Sequence, residues 1–169
     1  MSESKTQILS HQNILQKVNR IAYQIYEDHY NQKEILIAGI ANNGYTFAQL
    51  LSNKIEEISS INVKLVELKI DKKNPIESEI ELNLTKTEIK NKSIVLVDDV
   101  LNSGKTLIYG IQCFLKAPIK SLSVAVLVNR SHKRFPVNAN YVGMSLATTL
   151  KEHIEVDFEN SKAYAAYLS

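Results

Sequence analysis

The sequence predicts an α/β fold: a single domain with a central, mainly parallel β-sheet flanked by helices, plus a small flap or hood (domain 1–169). Three observations point there. Ile35–Ile40, Ser93–Val97 and Ser121–Val128 are apolar almost throughout, as strands buried on both faces are. Stretches with apolar residues at helical spacing separate them, the alternation that builds a parallel sheet covered on both sides. The 169 residues, with five Gly and three Pro, allow one sizeable core and no linker-rich or low-complexity region.

Taken in order, Ser10 is an N-cap for a helix over 11–30, with Ile14, Leu15, Val18, Ile21, Ala22, Ile25 and Tyr26 on its apolar face. Ile35–Ile40 is a strand that ends in a turn, Ala41-Asn42-Asn43-Gly44. Tyr45, Phe47, Ala48, Leu51, Ile55 and Ile58 mark the next helix, and Val63–Ile70 the next strand. The polar stretch Asp71–Asn91, with Ile80, Leu82 and Leu84 alternating against Glu81 and Asn83, reads as a two-stranded flap or mobile loop. Ser93–Val97 is a buried strand, Thr106–Leu115 a helix, Ser121–Val128 a further strand, and Tyr141–Ser145 and Ile154–Phe158 shorter ones. Tyr164 and Tyr167 suggest a terminal helix or a subunit interface. Cys113, among Ile111, Phe114 and Leu115, reads as a small core residue.

Several classes are excluded. The longest apolar runs are far short of a bilayer span, which predicts no membrane partner. Residues 1–12 carry no apolar run, so no secretory signal is expected and a cytoplasmic address follows. One cysteine makes neither an internal disulfide nor a cysteine-based zinc site, and His11, His29 and His153 lack metal-ligand spacing. The formal net charge of +2 does not by itself predict nucleic-acid binding. Lys116, Lys120, Arg130, His132, Lys133 and Arg134 form a basic set in the second half. Solvated side chains, offset by Glu77, Glu79, Glu81, Glu88 and Glu152, are the favoured account of it; RNA contact is the alternative.

In open parallel sheets ligands bind at the carboxyl ends of the strands. Chemistry is therefore sought in 41–44, 98–106, 129–134 and 146–150. The informative segment is Val95-Leu96-Val97-Asp98-Asp99-Val100-Leu101-Asn102-Ser103-Gly104-Lys105-Thr106. A buried strand runs into adjacent carboxylates, a small-residue turn and a helix start. Gly104 permits close backbone approach, and free amides at the helix start cradle an anion, aided by the hydroxyls of Ser103 and Thr106. Asp98 and Asp99 suit a vicinal diol or a metal beside that anion. A ribose 5-phosphate meets both requirements. A P-loop is rejected, because that motif needs glycine where Asp99 stands. The plainer account is a solvated helix N-terminus carrying acidic residues.

Val95–Thr106 resembles the signature of the type I phosphoribosyltransferases, an apolar strand followed by Asp-Asp-Val-x-x-Thr/Ser-Gly-x-Thr. Val126–Pro136 and Asn140-Tyr141-Val142-Gly143 are most similar to the pyrimidine-operon attenuator/uracil phosphoribosyltransferase branch. The resemblance covers roughly residues 10–158 in outline. It implies an enzyme that joins a nucleobase, uracil-like, to the phosphoribose of 5-phosphoribosyl 1-pyrophosphate (PRPP), releasing pyrophosphate. It implies catalytic roles for Asp98, Asp99 and Asn102. Asp98 and Asp99 would hold the ribose hydroxyls, and Val100, Leu101, Asn102, Ser103, Gly104, Lys105 and Thr106 would complete the PRPP cradle. Ala41, Asn42, Asn43 and Gly44 would form the pyrophosphate loop, Lys69, Lys72 and Lys73 would reach in from the flap, and Asn129, Arg130 and Leu150 would line the base pocket. Mg²⁺ would bind through substrate oxygens and water, without a protein metal site, and the chain would form a homodimer.

Three departures from the family pattern matter. Asn102 stands where purine-specific members carry a carboxylate base, and an amide takes up no proton at neutral pH. The 41–44 loop has no Lys or Arg, and the flap lacks a Tyr-Arg pair. These leave a second implied function open: a PRPP- or nucleotide-sensing regulator with weak or no catalysis.

Overall fold

The computed structural model describes residues 5–76, 80–130 and 132–169. Part of the expected flap (Glu77, Ser78 and Glu79) and Ser131 of the Val126–Pro136 segment lie outside the described residues.

Strand β1 (Thr6–Leu9) leads into helix α1 (His11–His29). The Ser10 hydroxyl accepts the Asn13 N–H at 3.3 Å and the Asn13 side chain accepts the Ser10 N–H at 3.1 Å, a reciprocal cap that fixes the start of α1. Then follow β2 (Glu34–Ile40), α2 (Asn43–Ile58), β3 (Asn62–Lys69), β4 (Glu81–Leu82) and the single-turn α3 (Lys86–Ile89). β5 (Ser93–Leu101), α4 (Lys105–Phe114), β6 (Ser121–Arg130), β7 (Tyr141–Leu146), β8 (Ile154–Asp157) and β9 (Ala165–Leu168) complete the chain.

The main sheet has the order β4-β3-β2-β5-β6-β7, with every pair parallel except β3–β4. The expected mainly parallel sheet is therefore present. Helices α1 and α2 cover one face: Ile14, Ile21, Phe47 and Leu51 pack against Ile35, Ile37, Val95 and Val97. Helix α4 covers the other, with Leu107 and Phe114 against Leu36, Leu96 and Val126. β2 pairs with β3 on one side and β5 on the other, so the connections diverge between β2 and β5 and leave a crevice at their carboxyl ends.

A second sheet, β1-β9-β8, is antiparallel and forms the hood. Thr6 pairs with Leu168 and Val156 with Ala166. Phe158 joins hood to body: its ring stacks on Phe47 of α2 at 6.5 Å and meets Tyr164 edge-on at 5.1 Å, geometries aromatic pairs favour. Tyr164 thus packs inside the hood and Tyr167 lies on β9, where a terminal helix or an interface was expected. Four-residue strands carry too little periodicity to be recognised before their partners are known.

Three boundaries and the burial of Cys113 are corrected. Asp98–Leu101 belong to β5 and are not a loop after it, because they keep pairing with β6 as far as Leu101↔Asn129. Asn43 and Gly44 form the first turn of α2. The expected two-stranded flap is one short strand, β4, paired to β3, followed by α3; the signal for α3 was the Thr85-x-x-Glu88 capping box. Cys113 is half-buried and borders a cavity shared with Pro75, Ile76 and Ile80, outside the core. Among the described residues no helix is long and apolar enough to cross a membrane.

Candidate active site

The crevice between β2 and β5 brings together the two loops the sequence singled out. Asp98 and Asp99, near the end of β5, are 3% and 8% exposed, so they are buried acids and not surface groups. The Asp98 side chain accepts the Asp99 N–H at 3.0 Å, and Asp99 accepts the Val100 N–H at 2.9 Å. The Lys72 ammonium lies 3.4 Å from Asp98 and 3.9 Å from Asp99. Burial, reinforced by the neighbouring Asp99 charge and opposed by Lys72, pushes the Asp98 carboxyl up to about 8. Lys72 offsets only part of this burial cost, and a polyol or a cation would supply more of what the pair draws.

Beyond β5, Gly104 adopts φ +83°, a left-handed conformation costly for any residue with a Cβ. It is the N-cap of α4 and offers no side chain to the amides of the first turn. Those amides face the concavity lined by Asp98, Asn102, Ser103, Lys105 and Thr106. The Ser103 carbonyl accepts the Arg134 N–H at 2.9 Å and the Phe135 N–H at 3.0 Å, tying this loop to the segment after β6. Val100 and Leu101, expected in the cradle, border the same concavity and also belong to the two halves of the core.

The 41–44 loop lies beside the acids. The Ala41–Asn42 peptide bond is cis. Asn42 caps α2 without a side-chain bond, so a second helix start with unfilled amides opens on the same crevice. A Cβ on Gly44 would stand 2.9 Å from both Asp98 Oδ1 and the Val97 carbonyl. The Asn43 amide donates to Asp99 Oδ2 at 3.1 Å and to the Val156 carbonyl of β8 at 2.8 Å, linking loop, acid and hood.

The flap lysines divide. Lys72 reaches the acids; Lys69 pairs with Glu81 at 3.8 Å and borders the space beside Ala41 and Asn42. Lys73 contributes its carbonyl, which accepts the Lys105 ammonium at 3.2 Å.

Next to the cradle, across the wall formed by Asn102 and Ser103, is a cavity of about 410 Å³ bordered by Arg130, His132, Lys133, Arg134 and Leu150. Arg130 is held by Thr148 Oγ1 at 2.5 Å and the Thr149 carbonyl at 2.7 Å, and His132 bonds the Thr148 carbonyl. Leu150 is 83% exposed at the rim. Asn129, expected beside Arg130, instead meets Ser145 of β7 at 3.5 Å and leaves its side-chain oxygen without a partner, as does Asn102. Lys133, Arg134, Thr148 and Thr149 fall within the strand-end segments 129–134 and 146–150 that the sequence singles out, but only Asn129, Arg130 and Leu150 were expected to line the base pocket. The available signal was the density of polar and basic side chains between the last two strands of the main sheet and the hood.

The profile of the phosphoribosyl transferase domain family matches residues 4–160. The chain is 32% identical over 155 residues to the bifunctional protein PyrR of Streptococcus thermophilus, covering 90% of this chain and 89% of that one. It is 30% identical over 165 residues to the PyrR of Haemophilus influenzae, with 90% of each covered. Among solved structures, a hypoxanthine-guanine phosphoribosyltransferase of Bacillus anthracis superposes with a TM-score of 0.74 at 20% identity, covering 97% of this chain and 98% of that one. The hypoxanthine phosphoribosyltransferase of Trypanosoma cruzi superposes with a TM-score of 0.76 at 15% identity, with 95% of each covered.

Proposed function

Because the chain belongs to the phosphoribosyl transferase domain family, we propose that it transfers the phosphoribosyl group of PRPP to a uracil-like pyrimidine and releases pyrophosphate. The observation that carries this reading is the meeting of two buried acids with two helix starts whose N-cap residues, Asn42 and Gly104, make no side-chain cap bond, in one crevice. Asp98 and Asp99 hold the ribose 2- and 3-hydroxyls through charge-assisted hydrogen bonds. Residues 102–106 wrap the 5-phosphate, and the amides of 41–44 face the pyrophosphate. As the bond from C1 to pyrophosphate breaks, positive charge develops on the sugar and negative charge on the leaving group. Fixed backbone dipoles then act where that charge appears. Lys72 and Lys69 supply the cations that the 41–44 loop lacks. Lys72 is a point charge on a flexible stem and provides no bidentate clamp.

Mg²⁺ fits this site as a cation shared with the substrate. Among the described residues no cluster of three or more His, Cys, Asp or Glu forms a metal cage, while the two acids already draw the Lys72 ammonium as a stand-in cation. Bound through PRPP oxygens near Asp98 and Asp99, Mg²⁺ would offset charge on the pyrophosphate.

Asn102 provides a check on base selection. Asn102→Asp places a carboxylate where the neutral amide stands and is expected to shift the ratio of kcat/KM for hypoxanthine over uracil upward by about tenfold or more. Steady-state rates with both bases measure it; an unchanged ratio removes Asn102 from base selection.

The proposal is tested by pyrophosphate release from PRPP and Mg²⁺ with uracil, hypoxanthine, guanine, adenine, xanthine and orotate in parallel, and by calorimetric binding of PRPP. Release that depends on uracil supports it. Binding of PRPP without turnover on any base favours the second reading, a PRPP- or nucleotide-sensing regulator, which the cation-free 41–44 loop and the name "bifunctional" borne by its relatives also support. A homodimer is part of the proposal, supported by the exposed Leu15, Tyr23 and Tyr30 along α1 and checked by sedimentation. The unpaired Cys113 supports a cytoplasmic address.

A further inference from the structure

We propose that the nucleobase is taken up as an anion, its reacting ring nitrogen already deprotonated, in the cavity lined by Arg130, His132, Lys133 and Arg134. This rests on the proposed phosphoribosyl transfer and adds how the base is activated. The step needs a nitrogen lone pair, and a protein usually frees one with a carboxylate or imidazole base beside the N–H. Among the described residues no carboxylate lines the cavity, its one imidazole, His132, is engaged through Nε2 by the Thr148 carbonyl, and Asn102, on the wall shared with the ribose cradle, is an amide. The Asn102 side-chain oxygen is buried and, among the described residues, has no hydrogen-bond partner, so it is free to accept the N–H of the ring nitrogen that does not react, without removing a proton.

The four cationic or basic side chains supply the other half. Among the described residues none of them stands in an ion pair. Arg130 is fixed by Thr148 and Thr149, and the Lys133 ammonium by Asn138 at 2.9 Å, so the charges are preorganised. The carboxylate nearest in effect is Glu152, which acts on Arg130 and is itself engaged by the Thr149 N–H. On the cradle side the charged groups are Asp98, Asp99, Lys72 and Lys105. A cavity with this excess of positive charge lowers the pKa of a ring N–H.

The balance is simple. The ring proton goes to solvent before the reaction. The nitrogen lone pair then forms the bond to C1, and the C1–oxygen bond breaks with its electron pair leaving on pyrophosphate. No protein group gains or loses a proton.

The test is the pH dependence of pyrophosphate release, from pH 6 to 9.5 with Mg²⁺ and saturating PRPP, comparing uracil with 5-fluorouracil, whose ring N–H is more acidic. Expected is a kcat, with the base also saturating, that for uracil climbs about tenfold per pH unit to a plateau, with 5-fluorouracil reaching its plateau at lower pH. Lys133→Ser and Arg134→Ser each move the plateau upward by about one pH unit and regain the parent rate at high pH. Profiles that coincide for the two bases, or variants slowed equally at every pH, overturn the proposal. If no base is turned over, the proposed transfer itself fails. The ultraviolet spectrum of 5-fluorouracil bound with ribose 5-phosphate then decides: a neutral-form spectrum at pH 7 overturns anion uptake, and an anion spectrum upholds it.

Discussion

Asp98→Asn combined with Asp99→Asn is expected to weaken PRPP binding by about 10²–10⁴-fold, the loss of two charge-assisted hydrogen bonds at roughly 1.5–3 kcal/mol each. The same region becomes more stable. Asp98 is buried beside a second acid and its carboxyl is held at about 8, whereas in the unfolded chain it ionises near 4. Without ligand the folded state therefore holds a proton that the unfolded state releases, and that PRPP with its cation would displace on binding. The stability of the unliganded protein falls as pH rises from about 4 to about 8. Asparagine has no proton to lose. Asp98→Asn alone is expected to melt several degrees above the parent at pH 7.5, at roughly 2–4 °C per kcal/mol for a chain of this size, and to converge with it toward pH 4. Calorimetric titration with PRPP and melting curves across pH measure both effects. Unchanged PRPP affinity in the double variant would remove the acids from the ligand site; equal melting temperatures at pH 7.5 would remove the strain attributed to Asp98.

Gly44→Ala is the second large effect, and it acts by shape. The new Cβ would stand 2.9 Å from Asp98 Oδ1, 2.9 Å from the Val97 carbonyl and 3.0 Å from Asp98 Cα. Two of these atoms are backbone of a central strand and cannot swing away, so the first turn of α2 must withdraw. Overpacking of this kind costs about 1–3 kcal/mol. The withdrawal also carries the 41–44 amides away from the pyrophosphate. A displacement near 1 Å is enough to reduce turnover about 10²-fold. Thermal melts and pyrophosphate release on one preparation check the pairing. Parental kinetics in Gly44→Ala would mean that this loop does not position the leaving group.

The legible parts of the protein are those whose signal is local. Val95–Thr106 carries in one run a buried strand, two acids, a left-handed glycine and a helix start, so the site's centre could be located without tertiary information. Helix α1 was equally plain, because its nineteen residues repeat one apolar pattern. The hood was not. Thr6–Leu9 becomes a strand only because Ala165–Leu168 lies beside it, and nothing within four residues announces a partner at the other end of the sequence. Asp98 and Asp99 were expected at a strand's end outside the core; they are buried, with α2 and Gly44 closing over them. Lys133 and Arg134 are exposed, as the reading of solvated charge expects; what a local reading could not show is that the return of the 148–150 segment sets them around a cavity.

Asn43 gives the molecule a mechanical property. One amide holds Asp99 and the β8 carbonyl of Val156 together, and β8 shares a sheet with β1 and β9. Any ligand that draws on Asp99 therefore also acts on the hood, and by thermodynamic reciprocity a loosened hood must weaken the ligand by the same factor. Lesions far from the crevice, at the Phe47–Phe158 stack or in the pairing of Thr6 with Leu168, become affinity variants without touching substrate.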